Sequence, residues 1–203
     1  TTHMAWEEDR PFADAEDTEE LCRLIEQYGY VIAAKHKAGQ PKISGPEPET
    51  LKRLSGFCDL LLVEADGARR LPLKVPAVHE PVIPEFADIV VGVTGLDCIG
   101  KKICDIAHRP EDVAEFLRKK TDEPVMWEDV VKIASSENGL RKNVGEKSFL
   151  VYFNKADVLE SSGVAENIIK KCREAGIEAV CGSLKKIMER QEICRKFHGI
   201  RRK

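Results

Sequence analysis

Ser148-Phe149-Leu150-Val151-Tyr152-Phe153-Asn154-Lys155-Ala156-Asp157 sets a continuous apolar run directly against a polar tetrapeptide. An apolar run of this length, closed by polar residues, is how a strand covered on both faces of a parallel sheet reads. The tetrapeptide Asn-Lys-x-Asp at the carboxyl end of such a strand suits recognition of guanine. The Asp157 carboxylate can accept two hydrogen bonds, from the ring N–H and the exocyclic amine, which adenine does not offer in that geometry. The Asn154 amide would brace the loop, and the Lys155 stem would lie along the face of the base. Three fixed residue types match by chance in roughly one chain of this length in thirty, so a bare match is weak and the strand in front of it carries the weight.

Working outward, three more apolar runs appear: Asp59 to Glu64, Asp88 to Val93 and the shorter Glu178 to Cys181. Helical patterns lie between and around them at 16–28, 48–54, 110–119, 127–135, 164–174 and 184–197. Short extended pieces at 30–34 and 42–44, separated by Ala38-Gly39-Gln40-Pro41, suggest a hairpin at a sheet edge. Apolar runs alternating with helices argue for right-handed crossovers and a mostly parallel, doubly wound sheet. A chain of 203 residues suffices for one such α/β domain over 1–203.

Ligands of such sheets sit outside the carboxyl ends of the strands. The residues standing there are Glu64-Ala65-Asp66-Gly67, Thr94-Gly95-Leu96-Asp97, Asn154 to Asp157, and Gly182-Ser183. Glu64 and Asp66 have the type and position of acids that hold Mg²⁺ beside a nucleotide, with Gly67 letting the backbone turn near a terminal phosphate. The plain alternative is a strand-ending turn. Ser183 and its neighbour could complete a base pocket. Arg69, Arg70 and Lys74 follow the acids and could neutralise phosphate charge or hold another anion, with a solvated basic loop as the alternative of nearly equal weight. His79-Glu80-Pro81 and His108-Arg109-Pro110 each set an imidazole on a loop, and two separated histidines do not make a metal site.

Charge is nearly balanced, 32 Lys and Arg against 35 Asp and Glu for a formal −3, which argues against a general nucleic-acid or anionic-membrane surface. The basic tail, Arg190 to Lys203, reads as a solvated helical end. Seven scattered cysteines without a Cys-x-x-Cys pair suit reduced thiols. No apolar stretch approaches the ~20 residues of a membrane helix, and the expected location is the cytoplasm.

No Gly-x-x-x-x-Gly-Lys-Ser/Thr loop, the usual cradle of the β and γ phosphates, occurs in the sequence. Either the chain does not hold a nucleoside triphosphate in this way, or the first strand, phosphate loop and first helix precede Thr1. The opening Thr1-Thr2-His3-Met4 reads as the end of a strand, which favours the second alternative, although His-Met also suits a cloning remnant. Thr2 joins the nucleotide-facing candidates.

The Thr-Thr-His-Met opening, the block from Val63 to Ala68 with Leu73 to Pro84, Gly95-Leu96-Asp97 with Ile99-Gly100-Lys101, His108 to Glu111, and Asn154 to Asp157 together resemble the YqeC family. Its members are described as accessory factors for selenium-dependent molybdenum hydroxylases. The resemblance implies a fold of P-loop NTPase type, a nucleotide-dependent step (GTP ahead of ATP) in preparing a selenium or molybdenum cofactor, and a molybdenum hydroxylase or its cofactor as partner. Carried over by position, Glu64 and Asp66 would face Mg²⁺, and Asn154, Lys155 and Asp157 the base. The chain departs from the family in lacking the phosphate loop. The rival expectation is a non-hydrolysing cofactor chaperone or insertion partner, with a degenerate nucleotide site and an anionic cofactor on Arg69, Arg70 and Lys74.

Overall fold

A computed structural model describes residues 3–5, 9–36 and 42–188, and among these described residues nine strands and six α-helices have both ends defined. The chain divides into two compact units, Thr1–Gly67 with Val82–Phe86, and Ala68–Pro81 with Ala87–Lys203.

In the first unit, β1 (His3–Ala5), β2 (Phe12–Asp14), β3 (Ile32–His36) and β4 (Lys42–Ser44) form a sheet ordered β1-β4-β3-β2. Strands β2 and β3 run parallel, and β4 is antiparallel to both its neighbours. Helix α1 (Thr18–Tyr28) is started by Asp17, whose side chain accepts from the Glu20 amide, and stopped by Gly29 in the left-handed region at φ 78°. An aspartate cap and a left-handed glycine satisfy the backbone groups a helix end leaves over. Leu21 and Leu24 of α1 close a small core with Ala13, Ala15 and Leu54 of α2 (Pro48–Leu54). Glu16 ties α2 in place, accepting from Thr50 Oγ1 and Arg53 Nη2, each at 2.7 Å.

Residues 59–64 differ from expectation. They form no strand, and Leu60 and Leu62 are 72% and 84% exposed. An apolar run becomes a strand only where a neighbouring strand accepts its backbone hydrogen bonds. Among the described residues no strand pairs with this segment.

The second unit contains β5 (Leu73–Lys74), β6 (Ile89–Gly95), α3 (Ile103–Ile106), β7 (Ala107–His108), α4 (Pro110–Leu117), α5 (Trp127–Ser135), β8 (Ser148–Asn154), α6 (Ser162–Glu174) and β9 (Glu178–Cys181). Strands β6, β8 and β9 make an all-parallel sheet in that order, with Gly95 opposite Asn154 and Phe153 opposite Cys181. The carboxyl ends of the three strands therefore lie together. Two-residue β5 and β7 pair in parallel, Lys74 opposite His108.

On one face of the parallel sheet Val151 and Phe153 are wholly buried with Ile168 and Cys172 of α6 and with Val130, Ile133 and Ala134 of α5. This is a mixed α/β arrangement built on a parallel sheet, the coarse class the sequence pattern indicates. The observed β8 extends one residue beyond the expected run, β9 and α5 coincide with it, and residues 184–188 are helical. The rest of the expected 184–197 helix, the basic tail and Thr2 lie outside the described residues.

Candidate functional site

Strand β8 delivers Asn154 to the carboxyl end of the sheet, and Lys155 then turns the chain through the left-handed region at φ 61° into a short 3₁₀ turn over Ala156–Val158. The Asn154 side chain and two backbone bonds hold this loop against the end of β9. Asn154 Oδ1 accepts from the Lys155 amide at 2.8 Å and from the Leu184 amide at 3.1 Å. The Ala156 amide donates to the Gly182 carbonyl at 2.9 Å, and the Gly182 amide donates to Phe153 O at 3.0 Å. Gly182 has a steric reason to be glycine, since a Cβ there would stand 2.5 Å from the Tyr152 hydroxyl.

Asp157 projects into solvent with its carboxyl held below the ordinary aspartate range. A hydrogen bond from Ser183 is the main cause, with Lys186 and Lys185 adding a smaller attraction. It is therefore an ionised acceptor at neutral pH. Three of the sequence candidates (Asn154, Lys155, Asp157) and Ser183 meet in one small neighbourhood.

Lys155 reaches across to the end of β6, where its Nζ lies 2.7 Å from Asp97 Oδ2. Asp97 was only a residue of a strand-end motif in the sequence, with no role attached. Its second oxygen, Oδ1, is buried and accepts no hydrogen bond in the structure. Gly95 makes room for it, because a Cβ at 95 would come within 2.4 Å of Asp97 Oδ1 and 2.9 Å of Pro72 Cβ. The same turn links β6 to the basic loop, with Thr94 Oγ1 and the Gly95 amide both donating to Pro72 O, at 2.9 and 3.0 Å.

Beyond Pro72 the three cations of that loop part company. Arg69 and Arg70 are exposed and both left-handed, at φ 50° and 64°, a conformation costly for residues with a Cβ. Lys74 is buried, with Nζ 2.8 Å from Glu80 Oε2. Glu80 is the hub of this region. Its Oε1 accepts from Arg109 Nη2 at 2.7 Å, and Oε2 also accepts from the Ala77 amide at 3.0 Å. Burial opposes its ionisation, but Arg109, Lys74 and the Ala77 amide outweigh that and hold the carboxyl far below the usual range. Lys142 donates to the Ala77 and Val78 carbonyls, and Asn143 to Pro81 O, so the 77–81 loop is held from both sides.

His108, beside Lys74 in the β5–β7 pair, is disfavoured as a cation by burial first and then by Arg109, Lys74 and Arg69. The His-Glu-Pro and His-Arg-Pro segments, which had no derivable role in the sequence, thus meet through Glu80 and Arg109. A lysine in an apolar run, Leu73-Lys74-Val75, was the available sign of a buried charge needing a partner.

Glu64, Asp66 and Gly67 lie in the first unit, outside any strand, with Glu64 Oε1 3.5 Å from where a Gly67 Cβ would stand. The Ala65 carbonyl accepts from the Val82 amide at 3.1 Å, which fixes this turn to the returning chain. Among the described residues no group of three metal-binding side chains occurs. One or two carboxylates suffice for Mg²⁺ when nucleotide phosphates and water complete its shell, so the chemistry of Glu64 and Asp66 remains compatible with that ion.

Comparison with known proteins bears on the region holding the acids and the Glu80 hub. The family model described as "YqeC protein" matches residues 1–111. The chain belongs to the YqeC family. A curated relative, "Uncharacterized protein YqeC" of Escherichia coli (strain K12), is 32% identical over 165 residues. That alignment covers 79% of this chain and 64% of the relative, so the chain spans under two thirds of the relative's length. No solved structure matches. Within this YqeC chain the family match contains Glu64, Asp66, Lys74, Glu80 and Arg109, and ends before Asn154 to Asp157. No described helix is long and apolar enough to cross a membrane.

Proposed function

We propose that this YqeC protein binds a guanine nucleotide at the carboxyl end of its parallel sheet and acts in a nucleotide-dependent step that prepares a selenium or molybdenum cofactor for a molybdenum hydroxylase. One observation carries the nucleotide reading: Asp157 stands exposed and ionised on a loop that Asn154, Ser183 and Gly182 hold at the end of β8. A carboxylate so placed accepts the paired N–H donors of guanine and meets a mismatched edge on adenine. As a proposal of its own, Glu64 and Asp66 of the first unit carry the carboxylates that would hold Mg²⁺, which when bound neutralises phosphate charge. The chain's own residues would select and orient the base. The cofactor role rests on the family resemblance.

The two donors of guanine on one carboxylate are each worth about 1.5–3 kcal/mol, and losing one lowers affinity roughly 10- to 100-fold. Titration of GTP and ATP into the full-length protein with Mg²⁺ tests this reading. GTP is expected to bind at least about tenfold more tightly. Equal affinity for the two would overturn it.

A further inference from the structure

Asn154 and two backbone bonds pin the loop after β8 without using the Lys155 side chain. That side chain leaves its own loop and ends on Asp97, in the turn after β6, with Nζ 2.7 Å from Oδ2. Gly95 and Asn154 are register partners, so the acid and the lysine follow the carboxyl ends of neighbouring strands.

Asp97 is firmly seated. Leu96 and Cys98 on either side of it are buried, and Ile99 N donates to Leu96 O to close the 3₁₀ turn. Its Oδ1 is turned inward and buried beside Gly95, which leaves Oδ2 for the amine. Lys155 is constrained at its backbone, left-handed at φ 61°, while its side chain is 45% exposed. An exposed lysine ordinarily keeps many rotamers, and an exposed ion pair adds little to stability. An acid fixed on the next strand end therefore does more for where this lysine lies than for how stable the fold is.

We infer that Asp97 is a positioning residue of the base site: it holds Lys155 Nζ across the carboxyl ends of β6 and β8, so that the Lys155 stem stands ready as the wall against which the base lies. The inference rests on the nucleotide reading. Asp97 touches no base and acts only through the lysine. Without the acid the lysine must be ordered each time a ligand arrives, which lowers affinity about two- to tenfold.

Two measurements on the full chain test this, and the first needs no nucleotide. Asp97→Asn keeps the side-chain shape and removes the charge. Acetylation by an N-hydroxysuccinimide ester, mapped by mass spectrometry, should then proceed about two- to fivefold faster at Lys155 than in wild type, with Lys171 unchanged as the internal reference. Equal rates at Lys155 overturn the anchoring. In the second, titration of GTP should show Asp97→Asn and Lys155→Met each binding about two- to tenfold more weakly, and the double variant no more weakly than either. Losses that multiply in the double variant overturn the proposal, because Asp97 would then act apart from Lys155. Glu174→Gln breaks the equally short, exposed Lys171–Glu174 pair of α6 and should leave GTP affinity unchanged; an equal loss there would reduce the effect to general surface charge and overturn the proposal.

Wild type supplies a check that does not depend on a variant folding. With saturating GTP the base covers the stem while the amine stays on Asp97, so Lys155 acetylation should slow at least about twofold. Unchanged or faster acetylation shows that the base displaces the amine, and overturns the role of Asp97. A wild type that binds no GTP overturns the nucleotide reading and this role with it. A wild type that prefers GTP, with affinity unchanged in Asp97→Asn, overturns the role of Asp97 alone.

Discussion

Replacing Glu80 with glutamine tests the most heavily loaded contact in the second unit. The carboxylate accepts from Arg109 through one oxygen and from Lys74 and the Ala77 amide through the other, at 2.7, 2.8 and 3.0 Å. Glutamine keeps the shape but removes the charge and turns an NH₂ group toward one of these donors. Breaking a buried ion pair by removing one partner costs about 3–5 kcal/mol. Arg109 is 28% exposed and recovers some hydration, so the lower end, about 3 kcal/mol, applies here. At about 2–4 °C per kcal/mol for a chain of this size, Glu80→Gln should lower Tm by roughly 6–12 °C at pH 7.

The pH dependence gives a sharper check. The folded carboxyl lies below its ordinary value of 4.5, so its contribution is complete above that pH and is lost as pH falls toward the folded value. The Tm gap between wild type and Glu80→Gln should be constant from about pH 7 to 5 and narrow below 4.5. Differential scanning calorimetry measures both. A gap under about 2 °C at pH 7, or one unchanged down to about pH 3, refutes the reasoning.

Two further outcomes follow from packing and burial. A Cβ at Gly139 would stand 2.0 Å from the Ile133 carbonyl oxygen, which also accepts from Leu140 N, so Gly139→Ala should cost about 1–3 kcal/mol or more by thermal denaturation. Unchanged Tm would show that this turn yields. Cys98 is wholly buried, and burial with the nearby Asp97 charge pushes its thiol up to about 12, whereas Cys104 is exposed. Iodoacetamide at pH 8 should therefore alkylate Cys104 in the native protein and Cys98 only after denaturation. Comparable native rates at the two would contradict the burial.

Sequence periodicity located α4, α5 and α6 because each buries a patterned apolar face in its own unit, and the apolar runs marked β6, β8 and β9 although much of β6 and β9 is exposed, whereas the four-residue α3 is too short to show a period. Residues 59–64 show the limit of that signal. Apolarity there resembles the other runs, but strand formation depends on a pairing partner that composition does not reveal. Strands β5 and β7 are two residues each, too short for any period, yet their pairing sets Lys74 beside His108.

The loop over Asn154 to Asp157 was legible as a strand-ending loop because its residues are neighbours in sequence, and Ser183 follows two residues after the adjacent strand ends at Cys181. The Glu80 hub joins positions 74, 80 and 109, and the Lys155–Asp97 pair spans 58 residues. Contacts at such separations are set by the crossover geometry and leave only an indirect trace in the sequence, such as a charged residue inside an apolar run.

The central claim is that Asp157 reads the base, and exchanging its hydrogen-bond character tests it most directly. Asn at 157 replaces one acceptor oxygen with a donor, which mismatches guanine and suits the 2-oxo group of xanthine. Isothermal titration of GTP and xanthosine triphosphate into wild-type and Asp157→Asn proteins should show GTP affinity falling roughly 10- to 100-fold and xanthosine triphosphate becoming the preferred ligand. Unchanged GTP affinity in Asp157→Asn would contradict the account.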